Sequence, residues 1–278
     1  MIMEILSYFE ESDVTLVVSQ EFRLATKRFH QQMHPQAVLL AGQPGAGKTE
    51  LSSMLLPTMD NDAALINGDD YRRYHPNYRV LYRKYGSDSV QMTAAFSAAV
   101  TEQMIDKLSD SHFNLVIEGT GRTVDVPKRT AMILMQKGYR VEMAVIAARP
   151  EVSLISTLLR FYQMNESGTI PRATAIEAHD RVVAALPDNL DVLCSMSCFS
   201  RITIWDRNQE MLYDSTFTKK SPSQILRDYW NRTWGDAERR NAADAIAVLR
   251  EKETKYRLGQ GSAIDELEQM LSEVLTGI

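Results

Sequence analysis

A glycine-rich stretch, Gly42-Gln-Pro-Gly-Ala-Gly-Lys-Thr49, constrains the fold of this chain more than any other feature. It matches the pattern G-x-x-x-x-G-K-[ST], in which backbone amides wrap around the β-phosphate of a nucleotide. The apolar run Gln36–Ala41 before it predicts a buried strand, and residues 49–56 after it predict the start of a helix. A strand, a glycine-rich turn and a helix in this order predict a phosphate-binding loop.

Each part of this loop has a predicted contact with a nucleotide. Glycine permits positive φ angles and close approach of the backbone to a ligand, and the helix N-terminus that follows favours an anion. We expect Lys48 to reach the β- and γ-phosphates and the Thr49 hydroxyl to face Mg²⁺, which takes hard oxygen ligands. The predicted nucleotide-binding residues are Gly42, Gln43, Pro44, Gly45, Ala46, Gly47, Lys48 and Thr49, with Thr49 as the metal ligand.

The rest of the chain predicts an α/β fold of the P-loop kinase type. Strand-like runs at 63–67, 113–118 and 139–148 are separated by helical patterns, and this alternation predicts a mainly parallel sheet with helices on both faces. Residues 201–206 and 211–214 predict an edge strand or hairpin. The predicted organisation is an N-terminal helical cover (1–33), a P-loop kinase domain (34–220) and a C-terminal helical extension packed on or near the core (221–278).

Two helical patterns in the second half are specific enough to test. Thr174 and Glu177 have the spacing of a capping box, which predicts a helix start. The last helix carries an apolar face formed by Ile264, Leu267, Leu271 and Val274.

Composition narrows the possible partners and compartments. With 36 acidic and 31 basic residues the net charge is −5, which offers no bulk attraction to nucleic acid or to an anionic membrane. Tyrosines and arginines alternate in residues 71–85, but an amphipathic helix over the acceptor pocket explains them better than RNA stacking. The sequence has no signal-peptide pattern and no membrane-spanning run, so we expect a soluble cytoplasmic protein. Cys194 and Cys198 are expected to be core or free thiols.

Carboxylates follow two of the predicted strands. Asp69 and Asp70 come after the second strand and Glu118 ends the third, where open parallel sheets bind their ligands. Phosphoryl transfer needs a carboxylate to take the proton of the attacking hydroxyl, and we predict Asp69 in this role, with Asp70 as its competitor. Asp69 could instead be a turn or helix-cap residue. Glu118 is predicted to hold the water shell of Mg²⁺ or a substrate hydroxyl, unless it simply pairs with Arg122.

Arginines supply the charge that phosphoryl transfer requires. Arg160 and Arg172 flank a polar turn and are predicted to close over the γ-phosphate, although a lone helix arginine is more often a solvated charge. The chain lacks the guanine-reading motif of GTPases and a convincing Walker B strand of ATPase motors. A small-molecule kinase is therefore the favoured function.

Four motifs, in this order along the chain, resemble those of the zeta toxins of bacterial toxin–antitoxin systems. They are Gly42-Gln-Pro-Gly-Ala-Gly-Lys-Thr49, Asn67-Gly-Asp-Asp-Tyr-Arg-Arg-Tyr-His-Pro76, Val116-Ile-Glu-Gly-Thr-Gly-Arg-Thr-Val-Asp-Val-Pro127 and Arg172-Ala-Thr-Ala-Ile-Glu-Ala-His-Asp180. The resemblance covers roughly residues 36–215.

The resemblance implies an ATP-dependent, Mg²⁺-assisted kinase of UDP-N-acetylglucosamine, which phosphorylates the 3′-hydroxyl of the amino sugar and so blocks peptidoglycan synthesis. It implies Asp69 as the catalytic base, with Lys48, Arg160 and Arg172 as the other catalytic residues. The sugar nucleotide would contact Asp69, Glu102, Glu118, Thr120, Arg122 and Thr130. The chain departs from the family at Asp70, and we expect this second carboxylate to raise the pKa of Asp69 by like-charge repulsion.

The family also implies a partner. Its toxins are silenced by a small helical antitoxin in trans, and the helical termini of this chain offer inhibition in cis as a second possibility, beside plain packing on the core. Two other functions stay open at this point: a P-loop kinase of another acceptor, such as an antibiotic, a nucleoside or a polynucleotide 5′ end, and a non-catalytic nucleotide-binding module.

Overall fold

The structure, a computed structural model, describes residues 2–276, and Met1, Gly277 and Ile278 at the ends of the predicted terminal regions lie outside the described residues. The strands are β1 (Gln36–Ala41), β2 (Ala63–Ile66), β3 (Asn114–Glu118), β4 (Arg140–Ala147), β5 (Arg201–Asp206) and β6 (Met211–Asp214). The helices are α1 (Ile2–Ser7), α2 (Glu11–Arg28), α3 (Lys48–Leu55), α4 (Gly68–Tyr71), α5 (Tyr78–Tyr85), α6 (Ser89–Met92), α7 (Ala94–Asp110), α8 (Asp125–Gln136), α9 (Pro150–Glu166), α10 (Ile176–Cys194), α11 (Pro222–Asn231), α12 (Asp236–Tyr256) and α13 (Gly261–Thr276).

The described strands form one six-stranded sheet in the order β2-β3-β1-β4-β5-β6. Neighbouring strands from β2 to β5 run parallel, and only β6 is antiparallel, as the second strand of a hairpin with β5. The predicted fold class is confirmed, and so is the hairpin at the edge. In this order β1 lies between β3 and β4, so the phosphate loop leaves the middle of the sheet.

Both faces of the sheet are covered, as the alternation along β1 shows. Ala37, Leu39 and Ala41 pack into the larger core cluster, which also contains buried residues of α2, α7, α8, α10 and α11. Val38 and Leu40 point the other way, into a smaller cluster that includes Leu51 of α3. Successive side chains of a strand point to opposite faces, so a strand buried on both sides reads as a continuous apolar run.

A separate apolar cluster lies on the outer side of α9. Leu154, Leu158 and Phe161 of this helix pack with Leu249 of α12 and with the predicted apolar face of α13. Ile264, Leu267 and Leu271 of that face are buried and Val274 is partly buried against the same cluster. The helices predicted for residues 1–33 are present as α1 and α2, and α2 packs along α7.

The start of α10 differs from the prediction. The helix begins at Ile176 with Ala175 as N-cap in extended conformation, and no capping side chain bonds to it, so the capping box predicted from Thr174 and Glu177 is wrong. Residues 170–175 before it have no regular secondary structure, and within them Arg172 donates to the backbone of Asp69. Tertiary contact of this segment therefore decides where the helix starts.

The tyrosine-rich stretch at 71–85 is not one helix. It is divided between α4, a 3₁₀ turn at Arg72–Tyr74 and α5. Cys194 and Cys198 are free thiols. Across residues 2–276, no helix is both long and apolar enough for a membrane span.

Candidate active site

The glycine-rich loop turns from β1 into α3 through backbone conformations that require glycine. Gly45 and Gly47 have φ angles of +77° and +111°. A Cβ atom on Gly45 would lie 2.1 Å from the carbonyl oxygen of Ser153, so the loop lies directly against the first turn of α9. A side chain at this position would push the loop off that helix. The local geometry is that of a phosphate cradle.

Lys48 closes the loop on itself. Its Nζ donates to the carbonyl oxygens of Gly42 at 2.9 Å and Gln43 at 3.2 Å. Withdrawal of the ammonium group from solvent lowers the pKa of Lys48, and the nearby Glu118 carboxylate acts against this shift. An ammonium group in this position is available to phosphate oxygens that enter the loop.

Two neighbouring strands deliver carboxylates to the same edge of the sheet. Ile66 at the end of β2 pairs with Ile117 of β3, so Asp69 and Glu118 follow from adjacent strand ends. Asn67 caps the short helix α4 by accepting from the backbone N–H of Asp69 at 3.0 Å. That cap sets the position of Asp69 within the first turn of α4.

Arginines surround Asp69. The carboxylate accepts from Arg72 Nε at 2.8 Å while 55% of the side chain stays exposed, and Arg172 Nη1 donates to the Asp69 carbonyl oxygen at 2.7 Å. Desolvation acts to raise the pKa of Asp69, but Arg72, Arg172 and Arg160 outweigh it and hold the pKa below its usual value. The predicted increase through Asp70 is therefore wrong, because three guanidinium groups dominate the local field.

Glu118 is shifted in the opposite direction. Desolvation raises the pKa of the Glu118 carboxyl, Lys48 acts to lower it, and the nearby carboxylates Asp69 and Asp70 raise it further. Within the described part of the chain Glu118 forms no ion pair with Arg122, so the simple pairing considered from the sequence is not observed. The charged groups that influence Glu118 instead include Lys48 of the phosphate loop and the carboxylates Asp69 and Asp70.

The two predicted arginines approach from α9 and from the segment that follows it. Arg160 on α9 is near enough to influence the pKa values of Lys48, Asp69 and Glu118. Arg172 Nη2 lies 3.9 Å from Asp70 Oδ1, in addition to its bond to the Asp69 backbone. The structure thus brings Lys48, Asp69, Glu118, Arg160 and Arg172 to one place, and their chemical roles stay predictions.

The other predicted acceptor-side residues lie on α7, on α8 and in the loop after β3. Glu102 of α7 forms an ion pair with Arg129 of α8 at 2.7 Å, and Thr130 is the next residue of α8. In the loop after β3, Thr120 Oγ1 accepts from the backbone N–H of Arg122 at 3.3 Å. Contact of these residues with a sugar nucleotide is untested.

The predicted metal ligand Thr49 is exposed and lies in the first turn of α3. No cluster of three or more His, Cys, Asp or Glu side chains in the described residues has the arrangement of a metal cage. Mg²⁺ usually keeps several waters and is held by one or two protein groups together with substrate phosphates. A single hydroxyl beside a phosphate loop fits that kind of metal binding.

Sequence reasoning missed several residues at the site. Arg72 follows Asp69 by three residues, and a helix brings side chains with this spacing together. The ion pair between them could therefore have been predicted from the sequence. The position of Arg207, which follows β5, could not be predicted from the sequence. Its Nε lies 3.9 Å from the position that a Cβ atom would take on Gly47, and its Nη1 donates to Ser156 Oγ at 3.1 Å. His179 lies within the fourth motif of the resemblance, but nothing in the sequence predicts that its side chain meets Ser153 at 2.7 Å.

Comparison with known proteins gives consistent results along most of the chain. The sequence model of the family described as Zeta toxin matches residues 20–218. Toxin PezT of Streptococcus pneumoniae serotype 4 is 38% identical over 240 residues, which cover 85% of this chain and 94% of that protein. Toxin zeta of Streptococcus pyogenes is 40% identical over 200 residues, 71% of this chain and 70% of that protein.

Solved structures share the fold. A structure from the PezAT chromosomal toxin–antitoxin system of Streptococcus pneumoniae superposes with a TM-score of 0.77 at 33% identity, covering 90% of this chain and 98% of that one. The complex of AvrRxo1-ORF1 and AvrRxo1-ORF2 with sulphate ions has a TM-score of 0.60 at 12% identity, covering 87% of this chain and 84% of that one. At that identity the similarity concerns the fold alone.

Proposed function

Because the chain belongs to the zeta toxin family, we propose that it is a cytoplasmic ATP-dependent kinase that phosphorylates the 3′-hydroxyl of the amino sugar of UDP-N-acetylglucosamine. The phosphorylated product would block early peptidoglycan synthesis. The observation that carries the proposal is the convergence of the phosphate loop, two strand-end carboxylates and two arginines at the carboxyl edge of the sheet.

In this proposal each charged group has one task in an in-line transfer. The acceptor hydroxyl oxygen attacks the γ-phosphorus of ATP, its proton passes to the Asp69 carboxylate, and the bond from the γ-phosphorus to the β,γ-bridging oxygen breaks to release ADP. Lys48 neutralises charge on the β- and γ-phosphates, and Arg160 and Arg172 neutralise charge on the transferring group. The low pKa of Asp69 keeps its carboxylate ionised at neutral pH, ready to accept the proton.

Mg²⁺ bound beside the phosphate loop would supply positive charge that offsets the negative charge of the transferring phosphates. Thr49 is the proposed protein ligand. Glu118, with its raised pKa, would orient the metal's water shell or a substrate hydroxyl.

The acceptor would lie on the Asp69 side of the phosphate loop. Glu102, Thr120, Arg122 and Thr130 would contact the sugar nucleotide there, together with Glu118. The exposed ion pair of Glu102 with Arg129 joins α7 to α8 on this side.

We further propose a small helical antitoxin as the partner in trans. Its support is the similarity to a toxin of a toxin–antitoxin system. Inhibition in cis by the C-terminal helices has less support, because α13 buries its apolar face against α9 and α12 as an ordinary covering helix.

The substrate proposal is tested by incubating the protein with ATP and UDP-N-acetylglucosamine and measuring the mass of the sugar nucleotide. We expect a gain of one phosphoryl group. Asp69→Asn should remove this product while ATP still binds, whereas Asp70→Asn, the neighbouring carboxylate, should retain measurable turnover.

The outcomes separate the alternatives. No mass gain in a protein that binds ATP would contradict the sugar-nucleotide substrate and leave a kinase of another acceptor. Loss of turnover in Asp70→Asn but not in Asp69→Asn would assign the base to Asp70. A protein in which neither substitution changes any chemical step would instead be a non-catalytic nucleotide-binding module.

A further inference from the structure

A chain of buried polar side chains runs from the phosphate loop into α9 and α10. Gln43, Ser153 and His179 are all 0% exposed, and they come from the loop, α9 and α10. Gln43 Nε2 donates to the Ala148 carbonyl oxygen at 2.7 Å and to Ser153 Oγ at 3.3 Å. Ser153 Oγ lies 2.7 Å from His179 Nε2. Buried polar groups are retained only where hydrogen bonds compensate their desolvation.

The chemistry of these groups gives the hydrogen bonds one direction. His179 Nδ1 lies 2.9 Å from the carboxylate of Asp180, which can only accept, so Nδ1 carries the proton. Burial lowers the pKa of His179, with Asp180 acting against the shift, so the ring is neutral at physiological pH and Nε2 is an acceptor. The single hydroxyl hydrogen of Ser153 is then shared between two acceptors, His179 Nε2 and the Pro150 carbonyl oxygen, while Ser153 Oγ accepts from Gln43. Donation runs from Gln43 through Ser153 and His179 to Asp180.

The same sequence of side chains, serine to histidine to carboxylate, activates the nucleophile of many hydrolases. That function does not fit here. Ser153 is completely buried, and its oxygen already contacts Gln43 and the Pro150 carbonyl oxygen at 2.8 Å, which leaves no space for a substrate. The chain of hydrogen bonds instead joins three backbone segments.

These three segments carry the donor half of the proposed active site. The phosphate loop touches α9 at Gly45, where even a Cβ would overlap Ser153. Arg160 follows on α9 two turns after Ser153, and Arg172 lies in the irregular segment directly before α10. A side chain that holds the loop, α9 and α10 together also holds the phosphate groups relative to the two arginines.

We propose that His179 is a positioning residue of the nucleotide site, which acts through Ser153 and Gln43 to hold the phosphate loop in its binding conformation. Gln43 is the sensitive member of this chain. Both hydrogens of its amide are used, while its Oε1 is buried without a hydrogen-bond partner among the described residues. The amide orientation therefore depends on the two acceptors, Ala148 and Ser153. Removal of the ordered Ser153 acceptor leaves the Gln43 amide held by the Ala148 carbonyl oxygen alone.

The role of His179 rests on one part of the proposed function, the binding of ATP by the phosphate loop. Its test therefore measures nucleotide binding and needs no acceptor substrate. The β,γ-imido analogue of ATP with Mg²⁺ is titrated into the full chain, and the dissociation constant is measured. We expect His179→Phe, which keeps a ring but removes the acceptor, to weaken binding roughly fivefold to tenfold, the scale of one lost buried hydrogen bond. His179→Gln, which again presents an oxygen to Ser153, should restore most of the affinity.

A double-mutant cycle shows whether His179 acts through Ser153. Ser153→Ala should weaken binding by a similar factor, and the double variant should bind no more weakly than either single variant, because both remove the same contact. Tyr139→Phe is the matched control: it removes a buried hydrogen bond of 2.6 Å to Phe113 at the opposite end of the sheet, and should leave binding unchanged.

Several results would overturn the proposal. If His179→Phe and Ser153→Ala weaken binding additively, or if both bind as tightly as wild type, His179 does not position the loop. A His179→Gln variant as weak as His179→Phe would also contradict it. If His179→Phe does not fold, the comparison of Ser153→Ala with wild type decides. A folded wild-type protein that binds no nucleotide would contradict the proposed function, and this inference with it.

Discussion

At the scale of single residues, the ionisation of Asp69 depends on its neighbours more than on its own place in the chain. Two adjacent carboxylates in a sequence suggest repulsion and a raised pKa. In the folded protein Arg72, Arg172 and Arg160 reverse that effect. The three guanidinium groups arrive from three different segments, and only Arg72 is close enough in sequence for its contact to be anticipated from spacing.

Arg72→Gln should shift the pH dependence of turnover. Arg72 lowers the pKa of Asp69, so its removal raises that pKa, and the base becomes protonated at a higher pH as the solution is acidified. We therefore expect the acid limb of the kcat/KM profile to move to higher pH, with activity near neutral pH less affected. The measurement is a pH–rate profile with saturating ATP.

Arg73→Gln provides the control for that shift. Arg73 is the next residue, but it is exposed and donates to Tyr74 rather than to Asp69. The acid limb of the kcat/KM profile of Arg73→Gln should lie at the same pH as that of the wild type. If both variants shift equally, the effect is one of net charge and not of the ion pair with Asp69.

At the scale of secondary-structure elements, α9 connects most of the parts described above. Its first turn contacts the phosphate loop, Arg160 in its last turns reaches the charged cluster, and its outer face packs on α12 and α13. Tyr162 of α9 also donates to Glu253 of α12 at 2.7 Å. The C-terminal helices therefore support the helix that carries Arg160.

Leu267→Ala on α13 should destabilise the protein. Leu267 is 1% exposed in the cluster with α9 and α12, and the loss of its side chain leaves a cavity in packed surroundings. Truncation of a buried leucine costs about 2–5 kcal/mol of unfolding free energy. Met270→Ala, on the same helix but 40% exposed, should change it by less than about 0.5 kcal/mol. Denaturant unfolding of the two variants measures the difference, and equal effects would contradict burial of this face.

The hairpin of β5 and β6 has its own acid-sensitive contact. Asp214 at the end of β6 is 4% exposed and accepts from Arg201 Nη2 at 2.6 Å. Desolvation acts to raise the pKa of Asp214, but Arg201 and Thr216 outweigh it and hold the pKa at about 2, below the unfolded value of 3.8. A lowered carboxyl pKa stabilises the fold above the unfolded value, and this contribution is lost as pH falls through the folded one.

Asp214→Asn should therefore lose about 2 kcal/mol of stability at neutral pH. The loss should shrink as pH falls from about 4 to about 2, because the wild-type carboxylate becomes protonated in that interval. Urea unfolding of both proteins across this pH range is the measurement. A difference in stability that stays constant with pH would show that the ion pair with Arg201 is not its cause.

At the scale of the whole molecule, the candidate site joins elements that are far apart in the sequence. The phosphate loop follows β1, and the carboxylates Asp69 and Glu118 come from the ends of β2 and β3. Arg160 and Arg172 come from α9 and from the segment before α10. A ligand that contacts all of these parts links them, so its binding free energy adds to the stability of the entire fold.

Nucleotide should raise the melting temperature. At a hundredfold excess over its dissociation constant, the β,γ-imido analogue of ATP contributes about 2.7 kcal/mol, which corresponds to a rise of roughly 5–10 °C in a chain of this size. Lys48→Ala removes the ammonium group that contacts Gly42 and Gln43, and should lose most of the rise. Lys219→Ala, an exposed lysine after β6, should retain it. Equal shifts in the two variants would contradict nucleotide binding at the loop.

Local physics explains what was predictable from the sequence. The glycine-rich loop depends on φ angles and backbone amides of consecutive residues, and the strands and helices depend on apolar periodicity over short windows. The fold class, the hairpin and the apolar face of α13 were predicted correctly from such patterns. The capping box at the start of α10 was not, because Ala175 is the N-cap, and the irregular segment before it carries the contact of Arg172 with Asp69.

Only the tertiary structure decided which groups meet around these local features. Arg172 and Asp69 are 103 positions apart, and His179 and Ser153 are 26 apart, yet each pair is within hydrogen-bonding distance. The pKa of Asp69 and the polar support of the phosphate loop depend on these distances. Electrostatic and hydrogen-bond energies depend on separation in space, which no local pattern of residues specifies. The sequence by itself determined the phosphate cradle, and the fold decided the charges and hydrogen bonds that surround it.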